Sequence, residues 1–109
     1  MALAKKSCEP CNKNTPTLEL EEQKIFLEGL DKEWKIKNGE YLERHYRFPD
    51  FKTALDFVKM IGDIAETENH HPDIFLTYGK VSLKIWTHKA QGLTKNDFYL
   101  AAKYDAVTP

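Results

Sequence analysis

At 109 residues, with 41% hydrophobic and 12% aromatic content, the chain is long enough for one globular domain with a modest core and no disulfide framework. Its 16 basic and 17 acidic residues leave a net charge of −1, which argues against direct nucleic-acid binding by phosphate neutralisation. No run approaches the length of a membrane span, and the opening Met-Ala-Leu-Ala-Lys-Lys-Ser lacks the apolar stretch of a secretory signal, so the expected compartment is the cytoplasm.

Residues 1–17 read as a poorly ordered tail, polar and aperiodic, with Pro10 and Pro16. The two cysteines, Cys8 and Cys11, both fall in it, as Cys-Glu-Pro-Cys. A zinc site would call for a second pair, and a redox dithiol for a strand before it and a helix after it. Neither is present, so a reduced pair is expected. Residues 18–109 then form a single domain. Leu20, Ile25, Phe26, Leu27 and Leu30 mark a first helix over roughly 19–30, with Glu19, Glu21 and Glu22 where acids complement the helix dipole and Gly29 near its end. The alternation of Trp34 to Lys37, the hairpin signal Asn38-Gly39 and the run from Tyr41 to Phe48 predict two strands. Leu42, Tyr46 and Phe48 share one face of the second, and Glu43, His45 and Arg47 the other.

Asp50 is a natural N-cap for a long helix whose Phe51, Ala54, Leu55, Val58, Ile61 and Ala65 recur at helical spacing. Phe57, Met60 and Ile64 widen its apolar stripe, and Gly62 is expected to permit close packing. Pro72 disfavours the α region for His71, so the helix should close at about Asn69 or His70. After it the period changes to two: Ile74 and Leu76, a turn around Tyr78-Gly79-Lys80, then Val81, Leu83 and Ile85 on one side of a long strand. Ser82, Lys84, Trp86 and His88 lie on the other side. Thr94 caps a final helix containing Leu100, Ala101 and Tyr104, with Asn96 and Asp97 in its first turn. The element order α-β-β-α-β-β-α predicts an α+β fold, a four-stranded antiparallel sheet with helices packed on one face.

The chemistry concentrates where the long helix stops. His70 and His71 are adjacent, pinned by Pro72, with Glu66 four residues before His70. Histidine titrates nearest neutrality, so a fixed pair at a helix end suits proton transfer. Glu66, then three residues, His70-His71-Pro72, five residues, Tyr78, nine residues, His88, eight residues and Asp97 make an ordered set. That set, with Trp86-Thr87-His88 and Gly92-Leu93-Thr94, resembles the signature of the pterin-4a-carbinolamine dehydratase family from about Leu18 onward. Where that family usually has an acid and then a glycine after the third histidine, this chain has Lys89 and Gln91.

The resemblance implies a hydro-lyase that removes water from a 4a-hydroxytetrahydropterin to give a quinonoid dihydropterin, without metal or nucleotide cofactor. It also implies a functional link to aromatic amino acid hydroxylases through tetrahydrobiopterin recycling. His70 and His88 are the expected acid–base pair, and His71, sent elsewhere by Pro72, the residue that holds substrate. Glu66 is expected to orient His70 or a pterin nitrogen, and Asp97 to act near His88. Asn69, Pro72, Trp86 and Thr87 border the histidines as candidates for substrate contact. A homodimer or homotetramer is expected, because helices on one face leave strand edges without cover. Two other classes stay open. One is a metal site from His70, His71, His88 and Glu66, although adjacent histidines seldom converge on one ion. The other is a dimerisation or transcriptional cofactor-type binding module on the same fold.

Overall fold

The computed structural model describes residues 3–109, so the first two residues of the predicted tail lie outside the described residues. Helix α1 (Leu20–Leu27) is followed by strands β1 (Lys35–Lys37) and β2 (Tyr41–Arg47), helix α2 (Phe51–Glu68), strands β3 (Asp73–Thr77) and β4 (Lys80–Ile85), and helix α3 (Lys95–Val107). All strand pairs are antiparallel, in the order β1-β2-β4-β3. The predicted α+β class and element order are those observed.

Local chemistry accounts for the boundaries. Asn38 and Gly39 both take positive φ, 55° and 69°, the conformation of a type I′ turn, and close the β1–β2 hairpin. Asp50 caps α2 by accepting from the Thr53 N–H at 2.8 Å and the Thr53 hydroxyl at 2.8 Å. These two bonds hold its carboxyl below the ordinary range. The stability they contribute is therefore present above the usual aspartate pKa and lost as pH falls through the lowered one. Helix α1 is shorter than its apolar pattern suggests. After Leu27 the backbone tightens into turns in which Gly29 N donates to Phe26 O and Leu30 N to Leu27 O, both at 3.0 Å. Leu20 and Ile25 are exposed, and it is Gln23 that α1 buries.

The core lies between one sheet face and the helices. Leu42 and Tyr46 of β2 and Val81, Leu83 and Ile85 of β4 face Ala54, Phe57, Ile61 and Ala65 of α2 and Phe98, Leu100, Ala101 and Tyr104 of α3. The polar face carries Glu43, His45 and Ser82, where His45 Nδ1 meets Ser82 Oγ at 2.7 Å. Arg44 keeps the alternation of β2, on the same inward face as Leu42 and Tyr46, but places a charged side chain among the buried ones. Its Nη1 donates to Asp105 Oδ1 at 2.7 Å, an oxygen that also accepts from Trp34 Nε1 at 2.7 Å, while the guanidinium lies over the Tyr46 ring. Trp34 thus precedes β1 instead of opening it, with its ring in the core. Gly62 borders open space, with no atom within 4 Å of an added Cβ, so it does not serve close packing. Gly62→Ala is accordingly expected to stabilise the protein by about 0.5–1 kcal/mol through helix propensity. Urea unfolding would show the midpoint rise, and a fall would contradict this reading.

The N-terminal segment has a definite course across the body. Leu3 sits in a single 3-10 turn, Leu3–Lys5, buried at 2% exposure, and Lys103 Nζ donates to Ala4 O at 2.7 Å. Leu3 lies over Gly29, where an added Cβ would come within 3.0 Å of Leu3 Cδ1. Composition alone could not anticipate this, because the contacts that hold the segment come from residues far along the chain.

Candidate active site

Helix α2 ends at Asn69, which adopts the left-handed region with φ 50° and ψ 41°. Asparagine tolerates that conformation better than most residues. Asn69 N donates to Glu66 O at 3.3 Å and His70 N to Ala65 O at 3.2 Å, the two bonds of a Schellman closure. The resulting reversal removes His70 from the helical relation to Glu66 that sequence spacing suggests.

His70 is turned toward the start of α3, with Nε2 2.6 Å from Asp97 Oδ1. Asp97 is fully buried, at 0% exposure, and its other oxygen accepts from Thr87 Oγ1 and Thr94 N, each at 2.8 Å. Because the Thr87 hydroxyl gives its one hydrogen to Asp97, the 2.8 Å contact between Thr87 Oγ1 and Thr94 Oγ1 is donated by Thr94. A buried carboxylate is thereby surrounded by donors from α2's end, the loop after β4 and α3's first turn. The bond from Nε2 to Asp97 places a proton on that nitrogen and leaves Nδ1 of the neutral ring as an acceptor.

The expected pairings are corrected in two respects. Glu66 hydrogen-bonds to His71 Nε2 and not to His70. Asp97 holds His70 and not His88. Both changes follow from the reversal at Asn69. His88 faces Asp73, its Nε2 3.9 Å from Asp73 Oδ1, and stands edge-on to Trp86 with ring centroids 4.2 Å apart. At that distance and half exposed, the His88–Asp73 pair contributes little energy and mainly biases orientation. Trp86 Nε1 also points to Asp73 Oδ2, at 3.4 Å.

The strand predicted to run to His88 stops at Ile85, because its partner β2 begins at Leu42's neighbour Tyr41 and the Leu42↔Ile85 pairing is the last of that ladder. Thr87 then makes an isolated bridge with Gly92, closing a small loop that presents His88 and Lys89.

His70, His71 and His88 line one cavity of about 250 Å³, together with Asn69, Thr87 and Lys89. Glu9, Pro10 and Cys11 form the remaining wall. Of the other candidates, Glu66, Pro72, Trp86 and Asp97 lie outside the lining, and Glu66, Trp86 and Asp97 contact the histidines that form it. Asp73, Lys89 and the residues of the N-terminal wall were not singled out as contacts by sequence. A larger cavity, about 860 Å³, lies beside β2 and the N-terminal half of α2, but the only histidine it holds is His45. Convergence of acid–base groups, more than volume, makes the histidine cavity the candidate active site. Among the described residues no three histidine, cysteine or carboxylate side chains are clustered to hold a metal ion.

Fold and cavity together define a small α+β protein with a cavity lined by three imidazoles. A family model described as pterin 4 alpha carbinolamine dehydratase matches residues 16–107. A protein of Alkaliphilus metalliredigens bearing the name pterin-4-alpha-carbinolamine dehydratase is 47% identical over 94% of this chain and 93% of its own. One of Rickettsia canadensis with the same name is 44% identical over 95% of each chain. The crystal structure of a Brucella melitensis protein described as transcriptional coactivator/pterin dehydratase superposes with a TM-score of 0.80 at 32% identity, over 86% of this chain and 100% of that one. The chain belongs to the pterin-4-alpha-carbinolamine dehydratase family, a family of hydro-lyases.

Proposed function

We propose that the protein dehydrates a 4a-hydroxytetrahydropterin to the quinonoid dihydropterin in tetrahydrobiopterin recycling, by acid–base catalysis from His70 and His88 with His71 holding the substrate. Hydroxide is a poor leaving group, so one imidazole protonates the 4a oxygen, which departs as water. The other removes the N5 proton, and the electrons of that N–H bond form the new C–N double bond as the C–O bond breaks. The reaction is redox-neutral and draws only on groups that accept and return protons. The observation that carries this reading is one cavity lined by three imidazoles from two segments, each facing its own carboxylate, in a chain matched by the family over nearly its whole length. The proposed compartment is the cytoplasm, with a functional link to an aromatic amino acid hydroxylase that supplies the carbinolamine.

The test is direct: purified protein should accelerate loss of a freshly generated 4a-hydroxytetrahydropterin over the spontaneous reaction, and no acceleration would refute the reading. His71→Ala is expected to raise KM by about tenfold while changing kcat by less, since a hydrogen bond to bound substrate is worth roughly 1.5 kcal/mol. An equal fall in kcat would contradict the binding role.

A second reading concerns assembly and is favoured by the uncovered side of β2. Strand β1 pairs only with Tyr41 to Glu43, so the outer edge of β2 from Arg44 to Arg47 has no strand beside it. A homodimer that joins two sheets, with pairing of dimers into a tetramer, would supply partners. It would also provide the kind of surface that a coactivator role needs, the role named for the Brucella protein. Light scattering at micromolar concentration is expected to give a multiple of the chain mass. A strictly monomeric mass under active conditions would refute it.

A further inference from the structure

The histidines supply only part of the cavity wall. Glu9, Pro10 and Cys11 supply the rest, although they precede α1 and belong to no helix or strand. Several fixed points hold them there. Cys8 N donates to Glu68 Oε1 of α2 at 2.8 Å. Asn96 is buried at 5% exposure and grips Glu9 at both ends of its amide: Oδ1 accepts from Glu9 N at 2.9 Å and Nδ2 donates to Glu9 O at 2.6 Å. The same Nδ2 lies 2.9 Å from Cys11 Sγ, and Cys8 Sγ reaches Asn96 O at 3.6 Å. A buried amide that satisfies both backbone groups of one residue fixes a segment much as a strand partner would. Asn96 precedes Asp97, so the clamp on the segment and the carboxylate on His70 share one helical turn.

We propose that Glu9–Cys11 is a substrate-contacting wall of the pterin site and that Asn96 is the positioning residue that holds it. This rests on the histidine cavity being the pterin site. A proline ring and a polarisable sulfur are suited to lie against a flat heteroaromatic ring, which matches the ligand class the histidines imply. The wall sets how tightly the ring is held, while proton transfer stays with the imidazoles. Loss of the clamp therefore acts on KM far more than on kcat.

Two measurements on the full-length protein test this. The first is alkylation of the wild-type protein by iodoacetamide at mildly alkaline pH, with and without dihydrobiopterin. Burial, reinforced by Glu68, pushes the Cys8 thiol up to about 12, so it keeps its proton and labelling reports Cys11. Dihydrobiopterin at saturation is expected to slow Cys11 labelling at least about tenfold, as for a side chain covered by ligand. The second is Asn96→Asp, which keeps the side-chain size and suits a helix N-terminus but removes the donors to Glu9 O and Cys11 Sγ. It is expected to raise KM about tenfold, the effect of one to two lost hydrogen bonds, with kcat within about twofold. If calorimetry shows dihydrobiopterin bound while Cys11 labels at an unchanged rate, the wall is refuted and the histidine site stands. A folded Asn96→Asp with wild-type KM refutes the positioning role. Absence of both dehydration and dihydrobiopterin binding overturns the site itself and the wall with it.

Discussion

His70→Ala is expected to slow dehydration by about 10²–10⁴-fold, the usual worth of a positioned general acid or base. His70 is the most enclosed of the three imidazoles, with a side chain 11% exposed and a single strong bond to Asp97, so its ring orientation is the best defined. Its removal leaves Asp97 with the donors of Thr87 and Thr94, and some stability should be lost with it. Rates must therefore be compared on protein shown to be folded by circular dichroism. His88→Ala should lose activity to a similar degree with little effect on stability, because that ring is half exposed and packs mainly on Trp86. Losses below about tenfold in both variants would remove the acid–base assignment.

Asp97→Ala should be the most destabilising single change near the site, at about 3–5 kcal/mol. The carboxylate is fully buried and is the common acceptor for His70, Thr87 and Thr94, so alanine strands several donors and opens a void at the start of α3. Asp97→Asn is the informative companion. It keeps the volume but presents an amide N–H₂ on one side, and whichever way it turns, one of the donors now faces a donor. If the amide faces His70, the ring must accept through Nε2 and carry its proton on Nδ1, the tautomer opposite to the one that suits a base aimed at substrate. Turnover is then expected to fall toward that of His70→Ala with KM little changed. Urea midpoints for the two variants indistinguishable from the parent protein would overturn this account of Asp97.

Elements whose signals are local were legible in the sequence. The two-residue turn Asn38-Gly39, the caps Asp50 and Thr94, and the helical spacing of Ala54, Ile61 and Ala65 each act over a few residues, and each lies where its pattern placed it. The three histidines and their order along the chain were equally readable, and all three line one cavity. Which carboxylate serves which histidine was not. That depends on the left-handed turn at Asn69, and spacing along a helix says nothing once the helix has ended. Arg44 escaped notice because a charge argues for exposure even where alternation turns the residue inward, beside Leu42 and Tyr46. Its burial requires Asp105, 61 residues later, which no local pattern can announce. The N-terminal wall was hidden for a related reason: its order comes from Asn96 and Glu68, not from its own composition.

The strand order β1-β2-β4-β3 has a consequence for how the molecule comes into being. Each hairpin is a local product, but the central pairing of β2 with β4 joins residues such as His45 and Ser82, 37 apart in the chain, across the whole of α2. Closing so long a loop is entropically unfavourable and slow compared with turning a hairpin. His70 and Asp97 straddle β3 and β4 and are 27 residues apart, so they meet only when α2 and α3 have docked on the completed sheet. A nascent or refolding chain can hold both hairpins and its long helix and still lack the His70–Asp97 contact of the candidate site. Regained turnover is thus expected to follow regained secondary structure, because it needs tertiary docking that the hairpins and the long helix do not.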